Sequence, residues 1–124
     1  MLSLVRIRQI ALVLGVLLPV AETVRRSGNL DDWWLWIDDY LIGGSLIAGA
    51  LMSRNGSSKG VRALAAAWGL TCGMGYYSFV GHVLRIGERD VSGLSGASVT
   101  AGIGIGLAIA AWALVSTIAA SPQE

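Results

Sequence analysis

Four stretches of this chain contain no Asp, Glu, Lys or Arg, and short charged segments separate them. They are Gln9–Ala21, Tyr40–Ser53, Ala63–Leu84 and Val91–Gln123. A helix needs about 20 mostly apolar residues to cross the roughly 30 Å hydrocarbon core of a bilayer. The third and fourth stretches are long enough by themselves. The first two reach this length only if Glu22, and then Asp38 and Asp39, enter the membrane.

The composition supports an integral membrane protein with short loops. Hydrophobic residues make up 54% of the chain and charged residues only 14%, against about 25% charged residues in a soluble domain. The net charge of +1 gives no reason to expect nucleic acid as a partner. A single cysteine, Cys72, excludes an intramolecular disulfide.

We therefore predict an all-α fold, an integral membrane four-helix bundle with up-down topology, because short loops make consecutive helices antiparallel. The whole chain, residues 1–124, forms a single four-span transmembrane domain. The predicted spans cover approximately residues 8–24, 33–53, 61–84 and 94–119. Pro19 lies inside the first span and predicts a kink or an open turn, since it cannot donate to the carbonyl of Gly15.

Small residues recur at intervals of four in the last two spans. Helices approach closely at such rows, which is how they associate in lipid. The residues predicted to mediate packing are Gly69, Gly73, Gly102 and Gly106. Packing among the four helices is the simpler interpretation, and a face for a homo-oligomer or a larger membrane complex is the alternative.

Basic residues are nearly balanced between the two ends of the predicted bundle. One end has five: Arg6, Arg8, Arg54, Lys59 and Arg62. The other end has four: Arg25, Arg26, Arg85 and Arg89. The positive-inside rule then favours cytoplasmic termini, and a protein inserted in both orientations is the alternative. We expect a multi-pass protein of a bacterial inner or plasma membrane.

Alternating spans bring several polar residues to the same end of the bundle. The set predicted to form a polar or ion site is Glu22, Asp38, Asp39, His82 and Arg85. At 1.5 Å per residue, Asp38 lies roughly 8 Å inside a helix that starts at Trp33. Charges at such depth are costly and are usually paired or functional.

Two interpretations of these charges stay open. In the first, Asp38 or Asp39 forms a salt bridge with Arg85, Arg25 or Arg26 and holds the helices in register. In the second, Glu22 and the two aspartates form a proton or cation site, with His82 as a titratable neighbour. Binding of lipid or a small molecule is a further alternative.

The sequence contains no motif for catalysis, for a metal or for a named cofactor. His82 is the only histidine, which argues against bis-histidine haem ligation and against a zinc site built from one chain. The glycines near Gly104 lack the strand–turn–helix context of a phosphate loop. We therefore expect a protein that is not an enzyme, and the cofactor question stays open.

Aromatic residues gather at the end that carries the polar set. They are Trp33, Trp34, Trp36, Tyr76 and Tyr77, and they are predicted to lie at the membrane interface, where such rings are enriched. Two functions remain: an accessory or structural subunit that packs through small-residue faces, and a channel or transporter for protons or cations that uses the acidic cluster.

Overall fold

The computed structural model describes residues 2–25, 37–89 and 93–120. They form four α-helices, and this part of the chain contains no β-strand, only an isolated bridge between Arg89 and Ser95. The helices are α1 (Leu4–Arg25), α2 (Ile37–Met52), α3 (Ser58–Leu84) and α4 (Gly96–Ala119). The predicted all-helical class with four helices is confirmed.

The helix ends differ from the predicted spans mainly where serine residues cap them. Ser57 precedes α3 and its hydroxyl accepts from the Gly60 amide at 3.2 Å, so this helix begins before the predicted residue 61. Ser95 precedes α4 and accepts from the Ser98 amide at 3.2 Å. Serine satisfies amides that have no partner inside the helix. Charge alone did not reveal these starts.

Consecutive helices pack antiparallel, as their contacts show. Thr23 near the end of α1 is hydrogen-bonded to Tyr40 near the start of α2. At the other end of this pair, Arg8 Nε donates to the carbonyl of Ala50 at 2.8 Å. Between α3 and α4, a Cβ built on Gly104 would lie 3.0 Å from Phe79. The chain therefore runs up, down, up and down.

The closest approach of α1 and α2 is made by glycine. A Cβ built on Gly43 would lie 2.5 Å from the carbonyl oxygen of Gly15 and 2.6 Å from Cγ of Pro19. A Cβ on Gly15 would lie 2.7 Å from Cγ1 of Ile47. Only residues without a Cβ permit this separation of the two helices. Pro19 is accommodated within a helix that continues to Arg25.

The core occupies one half of the bundle. We call the half with the α2–α3 turn the closed end and the half with the end of α1 and the start of α4 the open end. Fully buried residues of all four helices fill the closed end: Ile7, Ala11, Leu46, Leu64, Trp68, Ala110 and Ala113. Trp68 is the largest fully buried side chain of this cluster, which otherwise contains several alanines.

Helices α1 and α4 touch over a short stretch only, whereas the other neighbouring pairs pack over longer ones. At the closed end the amide of Leu2 donates to Oγ of Ser116 at 3.3 Å, and Ala110 and Ala113 are fully buried. Two turns nearer the open end, Gly102 of α4 is exposed. The first and last helices therefore diverge toward the open end and leave a gap between them.

Two of the helices are long and apolar enough to cross a membrane. These segments are Leu4–Val24, with a mean hydropathy of 1.9, and Gly96–Ala119, with 2.0. The sequence predicted this for Ala63–Leu84 as well, but α3 does not meet both criteria within the described residues. It is long enough at 27 residues, yet its glycines, tyrosines and hydroxyl residues lower its hydropathy. The described part of α2 has 16 residues, or about 24 Å.

Candidate cation-binding cavity

A cavity of about 350 Å³ lies between the four helices at the open end. Its walls are mostly apolar, with Leu14, Leu18, Ile42, Met74, Ile103 and Leu107 among the lining residues. Every helix contributes to it, because each turns a face toward the bundle axis in this half. The volume falls at the lower end of the range for small-molecule sites, about 300–1,000 Å³.

Three carboxylates line this cavity. Glu22 extends from the last turn of α1, and Asp38 and Asp39 come from the first turn of α2. Glu22 is only 8% exposed, and both aspartates are half-buried. The antiparallel packing of α1 against α2 explains why the end of one helix and the start of the next meet. Partial burial lowers the effective dielectric constant and strengthens attraction between these carboxylates and a cation.

His82 lines the same cavity from the last turn of α3. Its Nδ1 lies 2.8 Å from the carbonyl oxygen of Ser78. Because a carbonyl only accepts, Nδ1 is the donor, and Nε2 is the acceptor when the ring is neutral. The imidazole is thus oriented by its own helix through this hydrogen bond.

Arg85 does not belong to this group in the structure. It follows α3 and its backbone amide donates to the carbonyl of His82 at 3.2 Å. Its side chain is exposed, and Arg85 is not among the residues that line the cavity. Arg25 and Arg26 are the other predicted salt-bridge partners. The side chain of Arg25 and the whole of Arg26 lie outside the part of the chain that the structure describes.

Ionisable and uncharged lining residues are separated along the bundle axis. In α1 the lining runs from Leu14 to Glu22, a distance of about 12 Å. The carboxylates and His82 all belong to helix ends at the open end, whereas Leu14, Met74 and Leu107 lie deeper. The cavity therefore has an outer part that carries the carboxylates and an uncharged, mostly apolar inner part.

The sequence analysis missed the lining residues of α3 other than His82. Thr71, Gly75 and Ser78 lie on the same face of the helix as the histidine. Their spacing of three and four residues is the signal that could have revealed this face. Thr71 does not offer its proton to the cavity, because Oγ1 donates to the carbonyl of Ala67 at 2.8 Å.

The four predicted packing glycines do not lie at close helix contacts within the chain. A Cβ built on Gly69, Gly73, Gly102 or Gly106 would meet no atom within 4 Å. A regular row of glycines therefore does not by itself identify a close contact between helices of this chain, and the packing role of these four residues stays a prediction. Gly102 and Gly106 instead line the cavity. The oligomer face stays a prediction.

The predicted interface aromatics are only partly described. Trp33, Trp34 and Trp36 lie outside the described residues. Tyr76 and Tyr77 are on the outer surface of α3, and Tyr77 is 83% exposed. Neither tyrosine lines the cavity.

The carboxylates and the imidazole do not converge on a metal site. Within residues 2–25, 37–89 and 93–120, no three His, Cys, Asp or Glu side chains are placed to hold a metal ion. Divalent cations need several ligands at short, well-defined distances. The cavity thus offers negative charge distributed over its outer part rather than a compact ligand set.

Comparison of the chain with protein-family models, with curated proteins and with solved structures gives no match.

Proposed function

We propose that this chain is a four-span membrane protein that binds cations in the open-end cavity and carries them across the bilayer without enzymatic chemistry. The single observation that carries the proposal is a partly buried cavity with three carboxylates inside a helical bundle. Protons are included among the cations, because His82 and the carboxylates are all able to bind one.

The outer surface of the bundle supports the membrane location. Large apolar side chains are exposed on every helix, among them Val16, Leu41, Leu84 and Ile118. Leu84 is 80% exposed and Ile118 is 70% exposed. Soluble monomers rarely expose apolar surface of this extent, whereas lipid solvates it at no cost. We therefore place all four helices across the bilayer, although only α1 and α4 satisfy length and hydropathy together.

The packing of the closed end favours a transporter over a permanently open pore. Below the cavity, Leu46, Trp68 and Ala110 are fully buried and fill the bundle axis. Among the described residues, these buried side chains stand between a cation at the carboxylates and the closed end. Passage requires the closed end to open, as in alternating-access transport.

Purified protein in liposomes tests the proposal. The liposomes contain a pH-sensitive dye, and gradients of Na⁺, K⁺ or pH are imposed across their membrane. We expect an ion flux above that of empty liposomes. Asp38→Asn, Asp39→Asn and the double variant should reduce it at least about tenfold, because each removes a charge from a partly buried site. Gly44→Ala is the matched control, since a Cβ there meets no atom within 4 Å and Gly44 does not line the cavity. Wild-type liposomes no more permeable than empty ones would exclude transport.

A second candidate function is an accessory or structural subunit, and the outward glycines of α3 favour it. Gly69 and Gly73 have open space where their side chains would be, although glycine in a helix costs about 1 kcal/mol relative to alanine. Contact with another helix, from a second copy or a larger membrane complex, would explain them.

Cross-linking in native membranes and the mass in mild detergent test this role. Gly69→Leu with Gly73→Leu should dissociate an oligomer, and a strictly monomeric, uncross-linked protein would contradict it.

A further inference from the structure

We infer that the ligand of the open-end cavity is an amphipathic organic cation, a molecule with one positive group attached to an apolar body. This inference rests on the proposed cation-binding function and specifies its substrate class. Three features of the cavity carry it: the arrangement of charge, the volume left by glycine, and the gap between α1 and α4.

The arrangement of charge fits a ligand with two unlike ends. Glu22, Asp38 and Asp39 lie in the outer part, and Leu14 and Leu107 line the inner part. Along α1, Leu14 is about 12 Å from Glu22. A small inorganic ion would leave these apolar walls without a partner. A dehydrated divalent ion would also lack its ligand set, as the described residues provide no three-residue metal group. An organic ammonium group needs neither a fixed coordination number nor short ligand distances.

Glycine creates the volume for the apolar body. Gly102 and Gly106 line the cavity on α4, and a Cβ at either position would meet no atom within 4 Å. These residues are one turn apart. The absence of both side chains leaves space along α4 for a group about as long as a small ring. The resulting volume of about 350 Å³ far exceeds that of a single water, about 30 Å³.

The gap between α1 and α4 gives the cavity an apolar neighbour. The two helices meet near Leu2 and Ser116 and diverge from there toward exposed Gly102. In a bilayer this gap faces hydrocarbon. A ligand with an apolar body partitions into that hydrocarbon and enters sideways, while its charge stays near the carboxylates at the membrane interface.

Equilibrium binding of radiolabelled benzyltriethylammonium to the protein in liposomes tests the inference. We expect saturable binding, displaced by the unlabelled compound but not by equal concentrations of K⁺, tetramethylammonium or uncharged N,N-diethylbenzamide. Tetramethylammonium lacks the apolar body, and the benzamide lacks the charge. Displacement by tetramethylammonium or the benzamide at equal concentration would overturn the inference.

Variants separate the two parts of the cavity. Glu22→Gln and Asp38→Asn should weaken binding about tenfold or more, because each removes a partly buried partner of the charge. Gly102→Ala with Gly106→Ala should weaken benzyltriethylammonium binding by a similar factor, since one misplaced methylene in an apolar pocket changes affinity about 10-fold or more. Gly44→Ala should have no effect. The added methyl groups meet no atoms, so the alanine variants keep the fold even if Glu22→Gln does not.

The flux assay distinguishes failure of the inference from failure of the function. Carboxylate-dependent flux of Na⁺, K⁺ or protons without binding of benzyltriethylammonium would overturn the substrate class and leave the function standing. Binding without flux of Na⁺, K⁺, protons or labelled benzyltriethylammonium would support the ligand class and overturn transport. Neither binding nor flux would overturn both.

Discussion

At the scale of single residues, glycines in this chain have two opposite roles. Gly43 lies where two helices touch, and Gly44 beside it faces open space. Both occupy the middle of α2, so their helix propensities are equivalent. Alanine substitutions at these two positions therefore separate the effect of steric contact on stability from the effect of backbone entropy.

We predict that Gly43→Ala destabilises the protein and that Gly44→Ala does not. The new Cβ at Gly43 would meet the Gly15 carbonyl and the Pro19 ring, neither of which rotates away. Overpacking of this kind costs about 1–3 kcal/mol. At Gly44 the better helix propensity of alanine should leave stability unchanged or raise it by up to about 1 kcal/mol. The free energy of unfolding in mixed detergent micelles measures both, and equal stability of the two variants would contradict the contact.

At the scale of helices, the sequence predicted the order of elements and the end of the bundle that carries each polar residue. Both follow from short connections, which alternate the direction of the chain. The sequence did not predict how each helix is rotated about its own axis. That rotation depends on contacts between helices. On α4 it places Gly104 against Phe79 and leaves Gly102 to line the cavity.

The start of α1 is joined to the end of α2 by one arginine, and this connection is testable. Arg8 donates through Nε to the Ala50 carbonyl, one of the last carbonyls of its helix. Such carbonyls lack partners within the helix and attract positive charge. We predict that Arg8→Met lowers the free energy of unfolding by about 1.5–3 kcal/mol, the usual contribution of a hydrogen bond to a charged group.

Arg6 provides the matched control for Arg8. It lies in the first turn of the same helix and its side chain is exposed. Arg6→Met should change stability by less than about 0.5 kcal/mol, as surface substitutions usually do. Equal losses for both variants would show that the general loss of charge, and not the contact with α2, is responsible.

At the scale of the whole molecule, the distribution of apolar side chains is inverted relative to a soluble bundle. The fully buried core is confined to the closed end and consists mainly of small residues around Trp68. The large apolar residues lie mostly on the outside, where α1 alone exposes Val13, Val16 and Leu17. This distribution supports the proposal that hydrocarbon surrounds the bundle.

This arrangement predicts that the two ends of the bundle lie on opposite sides of a membrane. In a Cys72→Ala background, Asn55→Cys marks the closed end and Gly87→Cys marks the open end, both at exposed positions. A membrane-impermeant maleimide should label one from outside intact cells and the other only after lysis. The closed end has five basic residues and the open end has four. The positive-inside rule therefore predicts that the cysteine of Asn55→Cys faces the cytoplasm.

The control variant, Val16→Cys, exposes its thiol in the middle of α1. It should resist the impermeant reagent on both sides, because hydrocarbon excludes a charged maleimide. Labelling of both ends from outside would reveal insertion in two orientations. If Val16→Cys reacted as fast as Asn55→Cys, water would surround α1, and the cavity with its carboxylates would belong to a soluble assembly instead of a membrane transporter.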